Sequence, residues 1–471
     1  MLRTLALTLA VLLFAITAGR VVRSWPRDAH LGYAEGIWIG LAVDASHGVL
    51  YRPLDGPQGI GGSRYLPLYY LVVAAGITVG LTPIVAGYLT TAVSFGVLIG
   101  GVFLLLRRLG VDRALAIAAC AAALACQPLQ MALLSTRGDA LAAGLAMLGL
   151  AVCITAPRGW GAPLLFALAI ATKPTSAYAP LAAMAALWIN GAAGDGRRLG
   201  WRTFAGLAAL VVVFVFASGG RMLGILAASG GGGAGLSTVF AAPISALHIL
   251  RRVPESAFFM LAGGAILIAS VRSRLSIHQT AWITCLAVTL AIYASPGTIE
   301  NHLLDLTVLS IVAIAVWAAQ EPRWATLAVS LLVAGGIAAG GSALWRSQRE
   351  DVIDRRELRR EVLAALADAP PPILFDQPML AVQRGDAPYI LDQYVSSIRF
   401  ARDPGAIETL AKDVEAGKFG AVVFENLAVD LSIADAFPGE AGVRFRAALE
   451  RAYALTAVVS GRPIYRPKSG R

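Results

Sequence analysis

The chain has 471 residues, of which 57% are hydrophobic and 14% charged, with a net charge of +10 and a mean hydropathy of +0.69. Soluble domains carry about a quarter charged residues, so this composition excludes an ordinary soluble enzyme. The basic excess flanks apolar runs, and no basic stretch is interleaved with aromatics, which excludes a nucleic-acid partner and leaves the lipid bilayer as the surrounding medium.

Apolar runs of about 20 residues predict an α-helical polytopic membrane protein. Helix 1 is expected at about 4–22. Arg20 and Arg23 follow its apolar run and there is no clean small-x-small cleavage site, so an uncleaved first helix with a cytoplasmic N-terminus is expected. A polar, aromatic first outer loop, 23–84, comes next and carries Tyr33, Glu35, Trp38, Asp44, His47, Asp55 and Arg64. Its last part, 65–81, is apolar but short, and either crosses the membrane or lies on its outer surface. The surface reading is preferred, because it puts the turns with Arg107, Arg108, Arg113, Arg197, Arg198, Arg202, Arg272 and Arg274 on the cytoplasmic side.

Further helices are expected at about 85–106, 114–134 and 140–155, and then as a pair, 160–172 and 175–190, broken at Lys173-Pro174. The turn 190–202, helix 203–217 and a long outer loop 218–254 with the Gly230–Gly233 run follow. Helices at about 256–271, 279–294, 302–319 and 324–343 complete about eleven crossings. Composition then changes. Residues 1–344 read as a transmembrane domain and 345–471 as a small extracytoplasmic α/β domain. Its strand-like runs are 372–376, 389–392, 419–426 and 455–461, with helices near 404–416 and 440–452. It has no Gly-rich dinucleotide fingerprint and no P-loop. Cys120, Cys126, Cys153 and Cys285 lie in apolar helices and read as packing residues.

Four places carry chemistry. Glu35, on a short amphipathic helix and sharing a face with Trp38, either takes a proton from a hydroxyl or only caps the helix or pairs with Arg27. Asp139 either favours a helix dipole behind a Ser135 or Thr136 cap, or faces the outer cavity with Arg137. Lys173, costly in an apolar hairpin, either snorkels or binds a lipid phosphate, and Arg64 is a second candidate for that task. Glu300, Asn301 and His302 form a polar cluster at a late helix end.

This ordered series is Tyr33-Ala34-Glu35-Gly36, Pro67-Leu68-Tyr69-Tyr70, Arg107-Arg108, Arg137-Gly138-Asp139 and Thr172-Lys173-Pro174-Thr175. It resembles the GT-C membrane glycosyltransferases, in particular relatives of the protein O-mannosyltransferases and the aminoarabinose transferases. The resemblance is ordered over residues 1 to about 190 and looser beyond. It implies juxtamembrane helices in the first outer loop and an inverting transfer of a hexose or pentose from a polyprenyl-phosphate donor. The acceptor would be a glycan, lipid or protein outside a bacterial cytoplasmic membrane. It implies Glu35 as the catalytic carboxylate; joined to the residue readings above, Asp139 is expected as the second catalytic carboxylate and Arg64, Arg137 and Lys173 at the donor phosphate. Tyr33, Trp38, Asp44, Tyr69, Asn301 and His302 would lie around the substrates. A divalent cation, if one is used, falls to Glu35 and Asp139. The chain departs from the pattern at Ala34-Glu35, where Asp-Glu is common, and at Leu66-Pro67, where Pro-Pro is usual. A flippase of lipid-linked sugars and a non-catalytic scaffold are the competing readings.

Overall fold

The computed structural model describes residues 2–229, 236–270, 275–295, 298–424, 437 and 439–468. The Gly230–Gly233 run, Arg272 and Arg274 lie outside them. The protein is a multi-pass helical membrane protein. The helices are α1 Leu2–Ser24, α2 Tyr33–Ser46, α3 Leu68–Thr78, α4 Pro83–Arg108, α5 Arg113–Ala125, α6 Gln127–Leu134, α7 Asp139–Thr155, α8 Gly161–Thr172 and α9 Tyr178–Ile189. They continue with α10 Ala193–Ala217, α11 Arg221–Ser229, α12 Leu236–Leu250, α13 Pro254–Ala269, α14 Ile277–Ile292, α15 Leu304–Gln320 and α16 Ala325–Arg349. Among the described residues, five helices are long and apolar enough to cross a membrane, or up to seven if each bent pair counts as one span. Others of the expected passes are shorter apolar helices, among them α7, α8 and α14.

Local chemistry sets the breaks. Asp112 caps α5 by accepting from the amides of Ala114 and Leu115. Pro128 cannot continue a helix, so the single helix expected at 114–134 is two, α5 and α6, bent by 72°. The pair α8/α9 breaks as the sequence predicts. Pro174 forces Lys173 out of helical geometry, to φ −149° and ψ 117°. The expected turn 190–202 is largely helical, because α10 starts at Ala193, with its polar first turns held by Asp195 pairing with Arg158 and Arg198. Much of the expected loop 218–254 is also helical, as α11 and α12.

Small residues let the helices close on one another. A Cβ on Gly144 of α7 would stand 2.7 Å from the Leu98 amide of α4. Outward-facing Phe216, Phe240, Leu261 and Ile268 are highly exposed, which suits contact with lipid. The segment 65–81 contains only α3, 11 residues long. At 1.5 Å per residue it spans about 16 Å, short of the ~30 Å hydrocarbon core.

The C-terminal part holds α17 Arg355–Ala365, β1 Ile373–Phe375, α18 Pro378–Arg384, α19 Gln393–Arg402, α20 Glu408–Glu415, β2 Ala421–Val423, α21 Gly439–Ala452, β3 Tyr453–Val459 and β4 Arg462–Pro467. The sheet order is β1-β2-β4-β3, with β1 and β2 parallel and the other pairs antiparallel. The expected strand 389–392 is not in this sheet. Ile390 instead bridges Ile60 of the first loop, and Asp392 then caps α19 through the Val395 amide. Strand β4 was not expected from the sequence.

This part is tied to the first loop and the end of α1. Asp351 accepts two 2.8 Å bonds from Arg20 and stands 2.7 Å from His30 Nε2. Arg359 donates to the Leu31 carbonyl. A Cβ on Gly36 of α2 would stand 2.8 Å from the Met379 amide of α18. Only glycine allows that approach.

Candidate functional site

A cavity of about 860 Å³ opens at one end of the helix bundle. Its walls come from elements far apart in sequence. These are the start of α2 (Tyr33, Glu35, Trp38), the loop at Arg64 and Tyr65, the α6–α7 turn (Arg137, Asp139), the α8–α9 break (Lys173), the approach to α15 (Asn301, His302) and the C-terminal part (Arg355, Gln377, Tyr394). The Lys173-Pro174 break matters here, because it turns the ammonium out of a helix and into the cavity.

Two ion pairs face the cavity. Glu35 Oε1 accepts from Arg137 Nε at 2.5 Å, and Oε2 accepts from the Gly32 amide at 2.8 Å. The helix-capping reading of Glu35 therefore holds, and the same carboxylate lines the cavity. Its partner is Arg137, not Arg27, whose guanidinium donates to the Arg23 carbonyl instead. Each Glu35 oxygen keeps lone-pair capacity for a further donor. In the second pair, Asp139 Oδ1 accepts from Lys173 Nζ and, at 3.0 Å, from Asn301 Nδ2. The expected Ser135 cap is absent, since that hydroxyl donates to the Met131 carbonyl. Thr136 Oγ1 is buried without a partner. Burial alone would lower the Arg137 pKa, but Glu35 and Asp139 more than offset it and hold the guanidinium charged.

Aromatic groups shape the floor. Trp38 stacks on Tyr65 with ring centroids 4.2 Å apart. Arg64 lies over the Tyr394 ring, 4.4 Å from its centroid, a cation–π position. Tyr33 donates to buried Asp392 at 2.5 Å and accepts from the Tyr394 amide at 2.6 Å. Burial, then the Asp392 charge, push the Tyr33 hydroxyl well above its ordinary pKa.

Two expected substrate residues stand elsewhere. Asp44 does not line the cavity. It pairs with fully buried Arg52 at 2.5 Å, and Arg52 also donates to the Gln58 and Pro388 carbonyls. Tyr69 is fully buried behind Trp38, bonded to Thr91 at 3.0 Å. Sequence reasoning missed His30, Tyr65, Arg355, Gln377 and Tyr394. Tyr65 was legible as an aromatic beside Arg64, whereas the last three needed the C-terminal part to be folded back over the cavity.

Among the described residues no group of three or more His, Cys, Asp and Glu could hold a metal ion. Each cavity carboxylate already faces a cation, so this donor set does not fit a divalent ion held by Glu35 and Asp139.

Basic turns gather at the opposite end of the bundle. The α4 helix starts beside the site, where a Cβ on Gly87 would stand 2.9 Å from Thr136, and runs 26 residues to Arg107 and Arg108. That is about 39 Å. Arg113 opens α5 at that end, and Arg158 and Arg198 meet at Asp195. Arg251 and Arg252 count against this pattern, and Arg252 stands 3.6 Å from Glu300.

No protein-family model and no curated protein sequence matches the chain. Solved structures do. The chain is similar to ArnT from Cupriavidus metallidurans bound to undecaprenyl phosphate, at 13% identity and a TM-score of 0.56, over 98% of each chain. The apo form of that protein gives 14% identity and a TM-score of 0.55, covering 92% of this chain and 93% of that one. An Archaeoglobus fulgidus oligosaccharyltransferase, complexed with Zn and sulfate, gives 13% and 0.59, over 99% of this chain and 73% of its own. The fold is therefore the GT-C fold expected from the sequence.

Proposed function

We propose that this chain is an inverting glycosyltransferase. It moves a hexose or pentose from a polyprenyl-phosphate donor to an acceptor hydroxyl or similar nucleophile on a glycan, lipid or protein. One observation carries the reading. Glu35, Arg137, Asp139 and Lys173, from three separate stretches of the chain, meet in one cavity at one end of an apolar bundle. A lipid donor reaches such a cavity from the bilayer while an acceptor enters from water. Undecaprenyl phosphate in the similar ArnT structure supports the donor class.

In this reading Glu35 accepts the acceptor proton as the acceptor oxygen attacks the anomeric carbon. The carbon–oxygen bond to phosphate breaks, the phosphate leaves with the electron pair, and the configuration inverts. Arg137 fixes the Glu35 carboxylate. Asp139 and Asn301 hold Lys173 towards the leaving phosphate, and Arg64 is the donor-side cation that makes no direct ion pair among the described residues. Trp38 and Tyr33 frame the sugar, with His302 beside them. Residues 1–344 serve as the transmembrane catalytic domain and 345–471 as an extracytoplasmic domain over the cavity. The basic end lies in the cytoplasm of a bacterium, so the cavity opens on the outer side of its inner membrane.

The test is a panel of polyprenyl-phosphate sugars assayed with purified full-length protein. Transfer or hydrolysis of at least one donor, lost in Glu35→Gln while the fold persists, is the expected result. Movement of the intact donor across vesicles without cleavage would favour a flippase. Indifference of every readout to Glu35→Gln would favour a scaffold.

A further inference from the structure

Buried polar groups without partners are rare in folded proteins, and each needs an explanation. Several stand on this cavity, and they fall on two sides. Asn301 Oδ1 and His302 Nδ1 adjoin Asp139 through the Asn301 bond. Arg355 Nε and Gln377 Nε2 adjoin Glu35. Arg355 Nη1 and Glu35 Oε2 are each 3.6 Å from where a Gly32 Cβ would stand. Gln377 is 2% exposed and precedes Pro378 and Met379, which pack on Gly36 one residue beyond Glu35.

The cavity charges are also unequal. Arg137 and Lys173 are matched by Glu35 and Asp139, and Glu350 pairs with Arg20 and Arg346. Arg64 and Arg355 make no ion pair among the described residues, and both have a buried, unpartnered Nε. If the site takes a polyprenyl-phosphate sugar, the donor is a phosphodiester with one negative charge. Arg137, Lys173 and Arg64, each with a carboxylate charge close by (Glu35, Asp139 and Asp392), line the donor side. Arg355 is left over, next to the carboxylate that receives the acceptor proton, and an unmatched charge in a low-dielectric cavity is costly until an anion joins it.

We infer that Arg355 and Gln377 form an acceptor subsite for an anionic oxygen group, a phosphate or a carboxylate. The C-terminal part thereby selects acidic acceptors. The inference rests on the transferase reading for its assignment to the acceptor, but the anion site itself does not. A guanidinium and an amide N–H together supply charge and direction to such oxygens.

The experiment uses the full chain in detergent. Inorganic phosphate and acetate are titrated calorimetrically, with and without saturating polyprenyl phosphate. Phosphate or acetate is expected to bind in the presence of the lipid, and the stronger of the two names the anion. Arg355→Gln should weaken that binding about tenfold or more, with polyprenyl phosphate affinity unchanged, and Arg355→Lys should recover part of it. Gln377→Leu, checked for an unchanged melting temperature, should also weaken it and covers the case in which Arg355→Gln does not fold. Displacement of both small anions by the lipid, or binding indifferent to both substitutions, would overturn the inference. Failure of the lipid itself to bind, with Arg355-dependent anion binding intact, would strike the transferase reading and leave the anion site standing.

Discussion

Helix α2 carries two ion pairs that look alike and stand in different surroundings. Glu35–Arg137 and Asp44–Arg52 are both 2.5 Å apart, and both carboxylates are almost fully buried. Glu35 lies on the cavity beside a second pair and a stacked aromatic floor. Asp44 lies about two and a half turns along, on the opposite face, where Arg52 is used up by Asp44 and the Gln58 and Pro388 carbonyls. The first pair lines the cavity, and the second fastens the first loop to the C-terminal part. Burial, charge and distance do not separate them. What lies in front of them does.

That contrast sets the order of expected effects. Glu35→Gln removes the proposed proton acceptor, and turnover per folded molecule should fall about 10²–10⁴-fold; it also takes the paired charge from Arg137, which keeps only Asp139 close by, so melting temperature should fall as well. Asp44→Asn leaves Arg52 buried without its countercharge and should cost about 3–5 kcal/mol of stability, read by thermal or denaturant unfolding, while turnover per folded molecule stays near wild type. Lys173→Met removes the proposed charge-assisted contact to the leaving phosphate, worth about 1.5–3 kcal/mol. It should lower kcat/KM roughly ten- to a hundredfold, and Lys173→Arg should keep part of the activity.

The smallest effect concerns pH. Burial alone would raise the Asp351 carboxyl, but its bonds from Arg20 and His30 hold it below the ordinary carboxylate value. A lowered native pKa stabilises the fold above about pH 4, the unfolded value. That stability is lost as pH falls through the native value. Melting temperatures followed downward from neutral pH should drop less steeply in Asp351→Asn than in wild type.

Much of this was legible in the sequence. Apolar runs gave the membrane helices, and Lys173-Pro174 announced a break that the structure shows at that dipeptide. The order of Glu35, Arg137, Asp139 and Lys173 along the chain pointed to the GT-C fold before any of them were neighbours. Asp44, expected at the substrate, lies off the cavity because helical periodicity turns it away from Glu35. At 3.6 residues per turn, Glu35 and Asp44 cannot face one cavity on a single helix. Arg355 and Gln377 left no local signal. They matter only because Gly36 lets α18 press against α2, an approach that no short-range pattern encodes. The bend at Pro128 was legible in principle, since a proline inside an apolar run breaks the backbone ladder.

The central claim is that chemistry sits at Glu35 and support at Asp44. The most direct test measures sugar release from a polyprenyl-phosphate donor, per folded molecule, for Glu35→Gln and Asp44→Asn side by side in proteoliposomes. The account predicts a folded but nearly inactive Glu35→Gln and a less stable but active Asp44→Asn. A Glu35→Gln protein working at the wild-type rate, or a stable Asp44→Asn protein without activity, would contradict it.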